Sequence, residues 1–458
     1  MTINSIDNLQ NEALDNLHSL LKLPKDLIVT DEYKNILKLI IEKKQESDVI
    51  FITGSAGTGK STLLEIIRRY LKIKGYNSVF LSPTGISALN INGQTIHSFF
   101  RIKPGLYIDD EQIFVNEYTK KIVDKLEFLV IDEISMVRAD LLDLIDRILR
   151  FYKRVNIPFG GIKVIFIGDL MQLPPVVSSE ESPLFLKKYE SPYFFDADVF
   201  SSIDLVTIEL RSIFRQSDEK FIKILQNIRV GEIIEDDVEY LNYHCYEQKK
   251  NINEWGIYLA NYNVVVNNLN KKKLSLLPGP LYNLQGIIKE HFPTDALPVE
   301  KDLQLKEDAL VMMQINSPGG DFVNGSVGRV RSIAPDKIIV EISGKNYEIE
   351  RYKWEYITYD VDSNGKIVQN IRGTYSQFPI KLAWAITIHK SQGKTFDIVT
   401  IDFGKGSFAH GQTYVALSRC RSINDIKFSR PLKGKDFLVD EKILNFIHNK
   451  YKISFKLR

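Results

Sequence analysis

The sequence predicts an α/β protein: two parallel-sheet domains in which apolar strands alternate with amphipathic helices, and a small β-barrel set into the second. Three observations carry that expectation. Residues 54 to 61, Gly-Ser-Ala-Gly-Thr-Gly-Lys-Ser, follow the apolar run Val49-Ile50-Phe51-Ile52 and precede a segment with Leu63, Leu64, Ile67, Tyr70 and Leu71 on one face, so a glycine-rich loop joins a buried strand to a helix. Strand-like runs recur at 49–53, 78–82, 128–131, 163–167 and 203–208 with helices at 61–73 and 139–151, and the alternation resumes at 256–259, from Asn263 to the stop at Pro278-Gly279, and at 398–401. From 305 to 373 the chain changes to short strands with turns at Pro318-Gly319-Gly320, Asn324-Gly325, Ser343-Gly344 and Asn364-Gly365.

The remaining stretches fill in around this frame. Residues 1–45 read as two polar, helix-prone pieces interrupted at Pro24, with Leu17, Leu20, Leu21, Ile36, Leu37 and Ile40 available for packing. Residues 93–126 break the alternation and predict a small insertion at the sheet edge. The prolines at 174, 175, 183 and 192 predict an irregular connection rather than a helix over 174–198. Of the 458 residues 44% are hydrophobic and 26% charged, with a formal charge of +2, so composition neither requires nor excludes a nucleic-acid partner. Cys245 and Cys420 are too few and too far apart for a disulfide framework or a zinc site. With no basic-then-apolar start and no run near about 18 apolar residues, the expectation is a soluble, intracellular protein with no membrane partner, cytoplasmic, or nuclear or mitochondrial if eukaryotic.

The chemistry-bearing residues cluster at predicted strand ends. In the loop, Gly54, Gly57 and Gly59 allow tight turning, so that backbone N–H groups from Gly54 to Thr62, including Ala56 and Thr58, face a polyphosphate at a helix N-terminus. Lys60 would reach the β- and γ-phosphates and Ser61 would ligate Mg²⁺. Asp132 and Glu133 follow the strand 128–131, where ligands of open α/β sheets bind; Asp132 is assigned to Mg²⁺ and Glu133 to the attacking water as general base. Gln172, in Gly168-Asp169-Leu170-Met171-Gln172-Leu173-Pro174-Pro175, has the amide to sense a γ-phosphate, although the segment taken alone reads rather as a proline-stopped turn. Arg215 and Arg419 are candidate arginine fingers, because guanidinium stays charged and grips phosphate oxygens in a fork.

Taken in order, residues 54–61, Pro83-Thr84-Gly85, Asp132-Glu133-Ile134-Ser135-Met136, 168–175, Ala385-Ile386-Thr387-Ile388-His389-Lys390-Ser391-Gln392-Gly393 and Tyr414-Val415-Ala416-Leu417-Ser418-Arg419 resemble the helicase motifs of superfamily 1. Phe214-Arg215-Gln216-Ser217-Asp218, running into Phe221, Leu225, Ile228-Arg229 and Gly231, resembles the signature helix of the petite-integration-frequency (Pif) DNA helicases. Read without the family, that helix is amphipathic, starts at Asp218 and stops at Gly231, and only Arg229 is left unexplained by packing.

The resemblance implies two RecA-like domains with ATP between them and single-stranded DNA across their top. It places the first domain at 46–209 with a wedge insertion at about 93–126, and the second at 210–304 and 374–438. An SH3-like barrel at 305–373, an N-terminal helical extension at 1–45 and a C-terminal helix at 439–458 complete the layout. Lys60, Ser61, Asp132, Glu133 and Gln172 would come from the first domain, Arg215 and Arg419 from the second. Carried over by position, Pro83, Thr84, Gly85, Thr95, His97, Ser98 and Phe99 would line one half of the DNA path and Asn263, Thr387, His389, Lys390 and Ser391 the other, although Phe99 and Phe100 read equally as core of the small insertion. Where the family places an adenine-reading glutamine, this chain has Tyr33, whose ring would stack on the base. The implied activity is ATP- and Mg²⁺-dependent 5′-to-3′ unwinding of forked or structured DNA by a monomer; a nucleotide-switched DNA clamp and a RecD-like subunit of a recombination complex are the alternatives.

Overall fold

The structure is a computed structural model and describes residues 17–24, 27–41, 48–108, 116–216, 218–252, 256–317 and 319–450. Parts of the expected N-terminal extension, wedge and C-terminal helix, together with Ser217 and Pro318, lie outside them. The first sheet is formed by β1 (Asp48–Gly54), β2 (Ser78–Ser82), β3 (Gln94–Thr95), β4 (Phe128–Ile131), β5 (Lys163–Ile167) and β6 (Asp204–Leu210). They lie in the order β3-β2-β4-β5-β1-β6, every neighbouring pair parallel. Side chains alternate between two cores, as a two-residue period demands. Val49, Phe51, Val79, Leu81, Leu129, Ile131, Val164 and Phe166 face one side, while Ile50, Ile52, Phe80, Val130, Ile165 and Ile167 face the other. That double burial explains the continuous apolar runs.

The second parallel sheet has the order β18 (Ala385–Thr387), β7 (Ile257–Ala260), β19 (Val399–Asp402) and β20 (Ile426–Phe428). β18 and β20 are three residues each, too short to show a period. The helix Glu219–Val230 packs on this sheet through Phe221, Ile224, Leu225 and Ile228. Asp218 caps its start by accepting from Phe221 N–H at 3.0 Å, and Gly231 ends it at φ 75°.

Between β7 and β18 the chain builds antiparallel sheets that extend beyond the expected 305–373 on both sides. β8 (Tyr282–Gln285) pairs with β10 (Asp302–Leu305), and β11 (Leu310–Met313), β12 (Val327–Ile333), β13 (Lys337–Ile342), β14 (Lys345–Glu350) and β17 (Ile380–Leu382) form a five-stranded sheet. β8 and β9 (Ile287–Glu290) escape sequence detection because most of their residues stay exposed. β9 joins the long hairpin of β15 (Tyr352–Val361) and β16 (Ile367–Gln377), which reaches out of the inserted unit and into the first domain. There Tyr359 and Val361 are buried in the first core, and the Tyr359 hydroxyl accepts from Phe80 N–H at 3.1 Å and donates to Phe80 O at 3.3 Å.

One further expectation needs revision. A helix, Ser182–Lys188, forms inside 174–198, because Pro183 lies in its first turn, where a missing N–H breaks no bond. The 93–126 segment starts at the edge strand β3; its helices Ile96–Phe100 and Glu117–Lys125 bury Phe99, Ile122 and Val123, and Lys121 pairs with Asp360 of the hairpin at 3.0 Å. Residues 109–115 are outside the described set. The helix Glu441–Lys450 returns to the first domain, where Phe446 stacks on Phe195 at 4.2 Å. No helix among the described residues is long and apolar enough to cross a membrane.

Candidate nucleotide and DNA sites

The loop after β1 turns on Gly57 and Gly59, at φ 86° and 81°, left-handed values that a β-carbon disfavours. The helix Lys60–Ile73 that follows has no acid in its first turn, so its N–H groups and dipole are available to an anion. Lys60 Nζ folds back to donate to Gly54 O at 2.7 Å and Ser55 O at 3.0 Å. Burial lowers its pKa, opposed by the carboxylates of Asp169, Glu133 and Asp132. Beneath the loop Tyr33 is only 2% exposed, and its hydroxyl donates to Gly59 O at 3.2 Å. Burial, then Glu32, pushes that phenol up to about 12. Tyr33 therefore props the loop with its polar end engaged.

Asp132 and Glu133 leave the end of β4 together, Glu133 in the left-handed region at φ 51°. Burial, then the neighbouring Glu133 charge, pushes Asp132 up to about 7, and burial also raises Glu133. Adjacent half-buried carboxylates gain most from a cation, and Ser61 lines the same cavity as Glu133 with a hydroxyl to offer. Among the described residues no three His, Cys, Asp or Glu converge as a metal cage. Asp169 differs: burial would raise it, but Arg229 and Lys60 hold it below the usual range. Arg229 joins Asp169 at 3.2 Å and Glu209 at 3.3 Å, which gives the packing helix's unexplained arginine a partner in the site. Gln172 Nε2 donates to Asp169 Oδ2 at 3.2 Å.

A cavity of about 580 Å³ separates the two parallel sheets, lined by Tyr33, Ala56, Gly57, Thr58, Gly59, Lys60, Ser61, Thr62, Glu133, Gln172, Arg215 and Arg419. Both arginines thus face the loop. Arg215 differs from expectation in its mount: it stands on the crossover after β6, where Phe214 N–H donates to Gly57 O at 2.9 Å, while its Nη1 reaches Ser418 O of the second domain at 3.0 Å. Arg419 is 1% exposed; Nε donates to Val415 O at 2.6 Å and Nη1 to Ser391 O and Lys394 O, each at 3.2 Å. Burial, then the Arg215 charge, lowers it to about 9.

Two residues not singled out in the sequence also span the cleft. Ala56 N–H donates to Tyr414 Oη at 2.8 Å, and Gln392 Nε2 donates to Glu133 Oε2 at 3.3 Å. Both lie inside the motif stretches, but spacing along one domain carries no sign of a partner in the other.

The residues carried over for DNA divide into two groups. Pro83, Thr84 and Gly85 follow β2, and Thr84 and Thr95 cap the helices Gly85–Asn90 and Ile96–Phe100 through Ser87 N–H and Ser98 N–H. A Cβ on Gly85 would lie 2.8 Å from Ala296 Cβ of the inserted unit. His97 Nε2 is 3.0 Å from Tyr107 Oη, and Ser98 Oγ hydrogen-bonds Tyr356 Oη of the hairpin. Asn263 and Lys390 are exposed and His389 is half-buried. Phe99, Thr387 and Ser391 depart from the expectation of direct contact. Phe99 is fully buried, edge-on to Tyr359; Thr387 Oγ1 accepts from Lys390 N–H at 3.2 Å; Ser391 is fully buried and donates to Ile388 O at 2.6 Å. Thr387 and Ser391 hold the turn that displays His389 and Lys390, whereas Phe99 packs in the first core.

A family model described as PIF1-like helicase matches residues 28–239. Pif1 of Campylobacter jejuni, named an ATP-dependent DNA helicase, is 32% identical over 84% of this chain and 90% of its own length. The chain belongs to the PIF1-like helicase family. Human PIF1, also named an ATP-dependent DNA helicase, is 33% identical over 87% of this chain but only 60% of its own, so the chain spans less than two thirds of that relative. A crystal structure of Bacteroides Pif1 with ADP-AlF4 covers 93% of this chain and 98% of its own at 35% identity and TM-score 0.85. The same protein bound to single-stranded DNA gives 0.65 at 37% identity, over 93% of this chain and 98% of its own. The two parallel sheets with an antiparallel insertion are thus the architecture of this family.

Proposed function

We propose that this chain is an ATP-dependent DNA helicase that moves 5′ to 3′ along single-stranded DNA and separates duplex or structured DNA. The observation that carries the reading is that Lys60, Glu133, Arg215 and Arg419 line one cavity between two parallel sheets. Lys60 exchanges the carbonyls of Gly54 and Ser55 for β- and γ-phosphate oxygens. Glu133 orients and deprotonates the attacking water, with Gln392 holding its carboxylate from across the cleft. Arg215 and Arg419 stabilise charge developing on the phosphates, and Gln172 senses the γ-phosphate. Mg²⁺, held by Ser61 and Asp132, would neutralise phosphate charge. Because catalysis draws on both domains, hydrolysis and cleft closure are linked. Pro83, Thr84, Gly85, Thr95, His97 and Ser98 on one side and Asn263, His389 and Lys390 on the other form the strand path, a reading supported by the single-stranded DNA complex of the Bacteroides relative. The direction rests on family resemblance alone.

Lys60→Ala is expected to abolish oligonucleotide-stimulated ATP hydrolysis, measured as phosphate release; retained turnover would refute the phosphate-loop assignment. Displacement of streptavidin from a 3′-biotinylated oligonucleotide alone is the expected polarity result. Displacement from the 5′ end alone reverses the direction, and displacement from neither end indicates a clamp.

A further inference from the structure

The carboxyl ends of three neighbouring strands in the second sheet each deliver one ring to a common place. His389 follows β18, Tyr262 follows β7 and Phe408 follows β19, strands that are adjacent in the order β18-β7-β19. Tyr262 and Phe408 have ring centroids 5.4 Å apart with planes 19° from parallel, and His389 and Phe408 are 6.3 Å apart at 16°. Tyr262 is 55% and Phe408 51% exposed, so alignment has been reached without burial. A single exposed ring is ordinary, but two near-parallel rings open to water, with the half-buried His389 ring alongside, surrender rotamer freedom and recover little apolar contact.

The polar surroundings say what kind of molecule would recover it. Lys390 is exposed and adjoins His389. Tyr262 is the N-cap of the 14-residue helix Asn263–Leu276, whose first turn contains no acid, so its N–H groups favour an anion at the same edge. Flat apolar faces beside a cation and a helix N-terminus match alternating bases and phosphates. The carboxyl edge of a parallel sheet is also where ligands of such folds bind.

We propose that Phe408 and Tyr262, together with His389, form a platform on which the bases of single-stranded DNA stack while Lys390 and the helix end hold the adjoining phosphates. The proposal rests on the strand-binding reading above and adds Tyr262 and Phe408, which no motif brought into the site. It predicts a base-dependent share of affinity located on the second domain.

The test is fluorescence anisotropy of the full chain with a labelled thymidine oligonucleotide and an abasic sugar-phosphate oligonucleotide of equal length. Phe408→Ala and Tyr262→Ala are each expected to weaken thymidine binding roughly 5- to 100-fold, the range for loss of one aromatic stack. Abasic binding should stay within about twofold and the salt slope unchanged, because phosphate contacts persist. Phe408→Trp should restore thymidine binding. Equal loss on both oligonucleotides would overturn the platform and point to a fold or protein-docking role for the rings, and no loss on either would overturn it as well. If the unaltered chain binds neither oligonucleotide, the strand-binding reading fails; if it binds both and the alanine variants match it, only the platform fails.

Discussion

Asp132 illustrates how one side chain in the cleft works against stability. Its folded pKa lies above the ordinary carboxylate value, from 3.8 up to about 7, so the folded chain keeps a proton that the unfolded chain releases in that window. Stability therefore declines as pH rises from about 4 to about 7 and is level above it. Asp132→Asn removes this titration, and the variant's thermal midpoint should exceed that of the unaltered chain at pH 8 by more than at pH 4; an equal gap at both would contradict the assignment. Arg419 is also fully buried, but its guanidinium donates to three backbone carbonyls. Arg419→Ala is expected to retain ATP binding, measured by fluorescent-nucleotide titration, to lose hydrolysis, and to lower unfolding free energy by roughly 1–3 kcal/mol, because Lys394 O loses the arginine donor while Val415 O and Ser391 O keep Ser418 Oγ and Lys394 N–H.

Among the elements, the six-residue helix Gln412–Leu417 is closely set against the other domain. It starts at Gly411, with φ 70°, where a Cβ would lie 2.4 Å from Met171 O and 2.6 Å from Gln172 O of the first domain. His410, one residue earlier, has Nε2 3.0 Å from Leu170 O. The helix carrying Tyr414 is thus pressed onto the strand end carrying Gln172. Gly411→Ala should cost about 1–3 kcal/mol in chemical denaturation, from left-handed strain and the clash. It should also lower kcat for ATP more than it weakens nucleotide binding, because it pushes Arg419 away from the phosphates; unchanged kcat would argue against this coupling.

Among the described residues, two segments far along the chain reach back to the first domain, besides the crossover at Arg215 and the contacts across the cleft. The C-terminal helix returns from the second domain to the first through Ile443 and Phe446, and the hairpin β15–β16 plants Tyr359 in the first core. Tyr359 is 2% exposed and its hydroxyl serves both backbone groups of Phe80. Tyr359→Phe leaves those groups short of a partner and should cost about 1–3 kcal/mol. Faster hydrogen exchange should then appear in the hairpin tip and at Phe80, with the five-stranded sheet unaffected; uniform acceleration across the chain would show that the hairpin is not a separate anchor.

Local chemistry was legible in the sequence. The strand–loop–helix at Lys60, the carboxylates after β4, and the helix bounded by Asp218 and Gly231 all follow from patterns within about 20 residues, where backbone period and turn preference decide the outcome. Short or half-exposed strands such as β8, β9 and β20 were not legible, because they are held by pairing rather than by a period of their own. Only the tertiary structure determined that Phe99 and Ser391 are buried, that Arg215 is mounted against Gly57, that Arg229 meets Asp169, and that Tyr414 and Gln392 span the cleft. The reason is physical: periodicity tells which face of an element is apolar, whereas a partner hundreds of residues away is chosen by how the finished domains pack.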